Sequence, residues 1–246
     1  MISENVERIS FRNEKKYLID NGDAELLKMR LGAMLSSDVN TNTLGIYKVR
    51  SIYFDDYWNT AYEDKLNGLP SRSKYRIRVY NDSDSFIHLE RKTKRDAYIA
   101  KQTADLTRDG AERLINGDYE FLLRDLQPLC QEFYCDCRMK TMKPCVTVDY
   151  FRQPYVFGAG DVRITFDMDV QAVLLNNDLF DANLPAINVL PQGQMILEVK
   201  YTGFLPAFMN RVLPARASQA ISLSKFVLSY DKTMFLRASD NYWSDN

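Results

Sequence analysis

The chain has 246 residues, 46% hydrophobic and 26% charged, with 32 Lys and Arg against 33 Asp and Glu for a formal net charge of −1. That length can bury a sizeable core, and the near-neutral balance excludes a surface that is basic throughout, as a general nucleic-acid or membrane-surface binder would carry. No apolar run approaches the ~18 residues of a membrane span, and the opening MISENVERIS lacks the apolar centre of a signal peptide, so a cytoplasmic protein without direct membrane insertion is expected.

Phe11 to Ile19 reads FRNEKKYLI and predicts a strand, with Arg12, Glu14 and Lys16 on one parity and Phe11, Tyr17 and Ile19 on the other. Asn21-Gly22-Asp23 predicts a turn and N-cap, and Ala24 to Leu35 a helix with Leu27, Leu31, Met34 and Leu35 at helical spacing. Lys48 to Asp55 is a strand in which Ile52 and Phe54 oppose Ser51, Tyr53 and Asp55. Asp56 to Leu66 is a short helix or ordered crossover, stopped by Asn67-Gly68 and Pro70.

A hairpin follows. Lys74, Arg76, Arg78 and Tyr80 oppose Tyr75, Ile77 and Val79; after a polar turn at Asn81 to Ser85, Phe86, His88, Glu90 and Lys92 oppose Ile87 and Leu89. Ala97 to Leu106 is a further strand, carrying Lys101, and helices are expected over Arg108 to Ile115, Tyr119 to Leu126 and Pro128 to Met139. Strands resume at Cys145 to Arg152 and Val162 to Asp169, where Arg163, Thr165, Asp167 and Asp169 oppose Val162, Ile164, Phe166 and Met168. Val170 to Gln194 is an irregular excursion, Met195 to Tyr201 a strand bearing Glu198 and Lys200, and the end is helical over Pro206 to Leu213 and Ser222 to Leu236. No linker divides the chain, so a single domain over 1–246 is expected.

Cys130, Cys135, Cys137 and Cys145 have the spacing C-x4-C-x-C-x7-C, which departs from the C-x2-C pairs of zinc sites, and His88 is the one histidine. Reduced structural thiols are expected.

At least six strands thus set charged residues, many of them Arg and Lys, opposite an apolar face. One arrangement accounts for all of them: an α+β fold in which about eight antiparallel strands close into a barrel, the apolar parity packs outward under the helices, and the charged parity lines a tunnel. Like charges about 6 Å apart at an effective dielectric near 20 repel by roughly 3 kcal/mol, so such a lumen requires an anion of high charge density. Arginines two apart on a strand present forked donors about 7 Å apart, suited to successive phosphates. Lys74 and Lys200 share this cationic parity. Carboxylates in the same lumen, Glu14, Asp167 and Glu198 among them, suit Mg²⁺ or Mn²⁺ bridged to substrate phosphates.

RNEKKY at 12 to 17, SIYFD at 51 to 55, KYRIRVY at 74 to 80, LERKTKRD at 89 to 96, YFR at 150 to 152, VRITFD at 162 to 167, LEVKY at 197 to 201 and SKF at 224 to 226 occur in an order that resembles the VTC domain. This is the polyphosphate polymerase module of the vacuolar transporter chaperone family, within the triphosphate tunnel metalloenzyme, or CYTH-like, superfamily. The resemblance runs from about Phe11 to Leu236. It implies an enzyme that moves the γ-phosphoryl group of ATP onto a growing inorganic polyphosphate chain with Mn²⁺ or Mg²⁺. Carried over by position, Lys16, Arg76, Arg78, Lys92, Lys101, Arg152 and Arg163 contact phosphates, with Arg76, Arg78 and Lys92 acting on the transferred group. Glu198 is the metal ligand, and Lys225 a phosphate contact from a closing helix.

The first strand departs from the E-x-E-x-K of CYTH-type members, since Arg12 replaces the first glutamate; the VTC branch resembles this R-x-E-x-K version. The chain resembles a free-standing module, so any membrane partner is expected to be a separate polypeptide. The residues leave open a triphosphatase, with Asp167 or Glu90 orienting water, and a non-catalytic polyphosphate-binding subunit.

Overall fold

The computed structural model describes residues 13–33, 36–37, 45–96, 98–158, 160–174, 178–207, 209, 213 and 222–242. Arg12, Met34, Leu35 and half of the helix expected at Pro206 to Leu213 lie outside the described residues.

Period-two alternation builds one large antiparallel sheet of ten strands: β1 (Asn13–Asp20), β2 (Ser36–Ser37), β3 (Tyr47–Asp55), β4 (Ser71–Tyr80), β5 (Ser83–Arg95), β6 (Tyr98–Asp105), β7 (Lys143–Phe157), β8 (Val162–Val173), β9 (Ala186–Asn188) and β10 (Gln194–Tyr201). The main path runs β1-β10-β8-β7-β3-β4-β5-β6. Helices α1 (Asn21–Gly32), α2 (Thr60–Leu66), α3 (Arg108–Ile115), α4 (Pro128–Lys140) and α5 (Lys225–Tyr242) accompany it.

The apolar parities pack outward in two places. Ile52, Phe54, Tyr75, Ile77 and Leu89 meet α3 and α4 through Ala111, Leu114, Cys130, Phe133 and Cys137. Tyr17, Ile19, Ile164, Phe166, Leu197 and Val199 meet α1 through Ala24, Leu27 and Leu31. All four cysteines are free thiols, two of them core residues of α4.

Five expectations are corrected. The sheet is not a closed barrel: β1 and β6 end the path without pairing. Each presents an exposed lysine, Lys15 and Lys101, of the kind that discourages strand pairing at an edge. Secondly, α5 does not cover the outside. Its Phe226 ring lies 5.0 Å from Tyr53, and Tyr230 stacks at 4.2 Å on Tyr62. With Val49, Val146, Val148 and Ile196 these rings form a third apolar cluster on the concave face.

Thirdly, the alternation of β8 breaks at Asp169, whose φ of 48° makes a bulge where the β7/β8 register shifts between Asp149 and Phe151. The bulge returns Asp169 to solvent and turns Val170 and Ala172 into the concave cluster. Finally, Asn21-Gly22-Asp23 is the first turn of α1, because the Asp23 amide donates to Asp20 Oδ1 at 2.8 Å, and Tyr119 to Leu126 yields only a 3-10 turn at Glu120–Arg124.

Candidate active site

Strand parity brings charge to one place. In the β1/β10 ladder Glu14 stands opposite Lys200 and Lys16 opposite Glu198; Arg152 of β7 stands opposite Asp167 of β8; Tyr53 and Arg76 face each other across β3 and β4. These side chains surround a cavity of about 500 Å³ whose lining carries twelve lysines and arginines against two carboxylates, Glu14 and Glu198.

Four buried carboxylates organise the cations. Glu90, 1% exposed, accepts from Arg76 Nε at 2.7 Å and Lys101 Nζ at 2.9 Å, with Arg78 Nη1 at 3.7 Å. Asp167, fully buried, accepts from Arg152 Nε and Nη2 at 2.6 and 2.8 Å, and Lys225 Nζ is 2.5 Å away. Glu14 pairs with Lys16 at 2.9 Å and with Lys92 at 2.7 Å. Glu198 pairs with Lys200 at 2.7 Å and has Arg152 at 3.6 Å. Arg76 also donates to Tyr53 Oη at 3.0 Å, and Arg78 to Ser51 Oγ and Tyr150 Oη at 3.1 and 3.2 Å.

The titration behaviour follows. Burial works to raise the Glu14 carboxyl, yet Lys16, Lys92 and Lys200 overcome it and hold the group at about 2. Burial likewise opposes ionisation of Glu198, Asp167 and Glu90, and the adjacent cations drive all three below the usual carboxylate range. Burial, reinforced by Lys16, pulls the Lys92 ammonium down to about 8 against the raising effect of Glu14 and Glu198. Burial together with Lys65, Lys16 and Arg72 also depresses the Lys74 ammonium well below its ordinary value.

Of the residues singled out in the sequence, Lys16, Lys74, Arg76, Arg78, Lys92, Arg152, Lys200, Lys225, Glu14 and Glu198 line this cavity. Lys101 reaches Glu90 from β6 but is 54% exposed, and Arg163 donates to Tyr47 Oη at 3.3 Å; neither lines the cavity. His88 pairs with Asp105 at 2.8 Å and also lies outside it. Lys15, Lys65, Arg72 and Lys94 line it unforeseen. Arg72 and Lys94 merely continue the cationic parities of β4 and β5, so extending the alternation two residues would have found them. Lys65 comes from α2, and nothing local to it signals the site.

A divalent cation fits part of this donor set. Glu14 and Glu198 are hard oxygen donors on neighbouring strands, close enough that each charge opposes ionisation of the other. Both oxygens of Asp167 are taken by Arg152 and Lys225, which leaves it poorly placed as a ligand. Among the described residues no group of three His, Cys, Asp or Glu forms a complete cage. Two carboxylates suit a Mg²⁺ or Mn²⁺ that completes its shell with phosphate oxygens and water.

One solved structure shares this architecture at low identity, and a second aligns more loosely. A candidate adenylyl cyclase from Hippeastrum, described as having a dominant triphosphatase activity, aligns with a TM-score of 0.53 at 11% identity, covering 89% of this chain and 95% of that one. A candidate adenylate cyclase from Bacillus halodurans aligns at 13% identity and a TM-score of 0.49, covering 87% and 94%. No curated protein matches the chain. The pattern of the VTC domain matches residues 11–234, nearly the whole sequence, and the chain belongs to the VTC domain family.

Proposed function

We propose that this protein is an ATP-dependent inorganic polyphosphate polymerase, transferring the γ-phosphoryl group of ATP to the end of a polyphosphate chain held in the cavity. The observation that carries the reading is the charge of the lining, twelve cationic groups against two carboxylates in about 500 Å³. With Glu90 and Asp167 counted as well, eight of those cations remain uncompensated, more than one nucleotide triphosphate offsets, and a donor and an acceptor chain together supply the missing anion. Membership of the VTC domain family supports the same reading.

In the reaction a terminal oxygen of the acceptor forms a bond to the γ-phosphorus as the bond to the β-bridging oxygen breaks, and ADP leaves. The acceptor oxygen is already anionic, so no general base is required. The chain's own groups align the two ends and offset charge on the equatorial and leaving oxygens. Arg76 and Arg78, two residues apart on β4 and held by Glu90, Tyr53 and Ser51, are preset for that work, with Lys92 of β5 lining the same cavity opposite Lys74. Lys16, Lys74, Arg152, Lys200 and Lys225 contact the remaining phosphates. A Mg²⁺ or Mn²⁺ held by Glu14 and Glu198 would supply charge neutralisation at the phosphates.

Purified protein given ATP and Mn²⁺ tests this. The polymerase yields ADP and long phosphate chains resolved on a gel. Release of orthophosphate instead would make it a triphosphatase, and tight polyphosphate binding without turnover a binding subunit.

A further inference from the structure

The cations of the cavity divide by partner. Lys16 and Lys92 meet Glu14, Arg76 and Arg78 meet Glu90, Arg152 and Lys225 meet Asp167, and Lys200 meets Glu198. Of the remaining five lining cations, none forms an ion pair among the described residues: Lys15 of β1 stands 6.0 Å from the centre of the Tyr201 ring, while Lys65, Arg72, Lys74 and Lys94 come from α2, β4 and β5.

Their placement adds to the repulsion. In the β4/β5 ladder Lys74 stands directly opposite Lys92 and Arg72 directly opposite Lys94, and like charges facing each other destabilise an antiparallel pair. Lys65 approaches the same group from α2; burial depresses its ammonium, and Arg72, Lys16 and Lys94 depress it further. The polar contacts these groups do make are neutral ones. Lys65 donates to Ser222 Oγ, and Arg72 to the Leu69 carbonyl. Lys74 donates to Ser224 Oγ at 3.2 Å and stands 4.3 Å over the Phe226 ring. A hydroxyl or carbonyl satisfies a donor without neutralising its charge, so these four groups stay crowded unless a lysine gives up its proton or an anion binds, and a bound anion is what keeps all four charged.

We infer that Lys65, Arg72, Lys74 and Lys94 form a second anion subsite, which holds internal phosphates of a polyphosphate chain apart from the carboxylate-bearing half of the cavity. The two halves suit different forms of phosphate. Where Glu14 and Glu198 stand, a metal-associated triphosphate meets donors for its cation as well as its oxygens. Where only cations stand, a chain that brings no metal is favoured. The Ser222 and Ser224 hydroxyls, holding lysines in the free protein, become donors to phosphate oxygens when the chain displaces them. The assignment of this chain as the acceptor rests on the polymerase reading; its binding does not.

The test is calorimetric titration of long-chain inorganic polyphosphate and of tripolyphosphate, without nucleotide, into wild type and Lys65→Ala/Lys94→Ala, with Lys65→Gln/Lys94→Gln as a second variant. Folding is checked by melting temperature, expected at or above wild type because like charges are removed. The inference expects affinity for the long chain to fall at least about tenfold more than affinity for tripolyphosphate, a difference of about 1.4 kcal/mol. Equal weakening of both ligands, or no weakening of either, overturns it. If wild type makes no polymer from ATP yet the variants show this selective loss, the polymerase reading falls and the subsite stands. If wild type polymerises and both variants bind long chains as tightly as before, the subsite falls and the polymerase reading stands.

Discussion

At Glu90 a single carboxylate, buried behind the cavity, holds Arg76 and Lys101 and has Arg78 within 3.7 Å. Removing one member of a buried ion network leaves the others uncompensated, so Glu90→Gln is expected to cost about 3–5 kcal/mol in chemical denaturation. The sign of the pH dependence is fixed by the direction of the shift. Glu90 titrates below its ordinary 4.5 in the folded chain, so its contribution is fully present above 4.5 and is lost as pH falls further. The wild type should therefore lose stability below that pH more steeply than the Gln variant. Glu198→Gln and Arg76→Ala should each abolish turnover while leaving the far-UV spectrum native, since Glu198 is a proposed metal ligand and Arg76 a proposed phosphate contact. Retained turnover in both would remove them from the site. Lys92, held at about 8, should lose its charge as pH rises past that value, and the affinity of the free protein for tripolyphosphate should weaken there.

Within the elements, local periodicity made much of the site legible. Alternation in KYRIRVY and LEVKY is enough to put Lys74, Arg76 and Arg78, and Glu198 and Lys200, on one face, because side-chain period in a strand is two whatever the rest of the fold does. Two things were illegible for the same reason in reverse. The bulge at Asp169 is a backbone event set by pairing with β7, and it redirects every later side chain of β8. The seating of α5 on the concave face depends on a hydrophobic surface assembled from β3, β7 and β10, none of it near α5 in sequence. That seating has a measurable consequence. Phe226 is 2% exposed against Tyr53, so Phe226→Ala should cost about 3–5 kcal/mol in urea unfolding. It should also weaken phosphate binding, because Lys225 and Ser224 flank it in the cavity lining. An unchanged unfolding midpoint would mean that α5 is not packed there.

For the molecule as a whole, a formal net charge of −1 conceals a strong local separation, with twelve cations on the cavity lining against two carboxylates there and two more, Glu90 and Asp167, paired to it from behind. The α+β class and the large antiparallel sheet were legible from the number and alternation of strands. Closure was not, because it depends on whether the edges β1 and β6 pair, and across that seam the Lys92 to Glu14 ion pair at 2.7 Å joins β5 to β1 instead. Concentrated like charge predicts opposite salt responses. Added salt should raise the melting temperature of the free protein by screening the cavity, and should lower its affinity for tripolyphosphate. Salt-independent values of both would contradict a cationic bore.

The most direct measurement is a structure of the protein crystallised with tripolyphosphate. The account predicts phosphates threaded through the cavity, within hydrogen-bonding distance of Arg76, Arg78 and Arg152, with any metal beside Glu14 and Glu198. Phosphates bound on the outer surface of the sheet, with the cavity side chains unmoved and free of ligand, would contradict it.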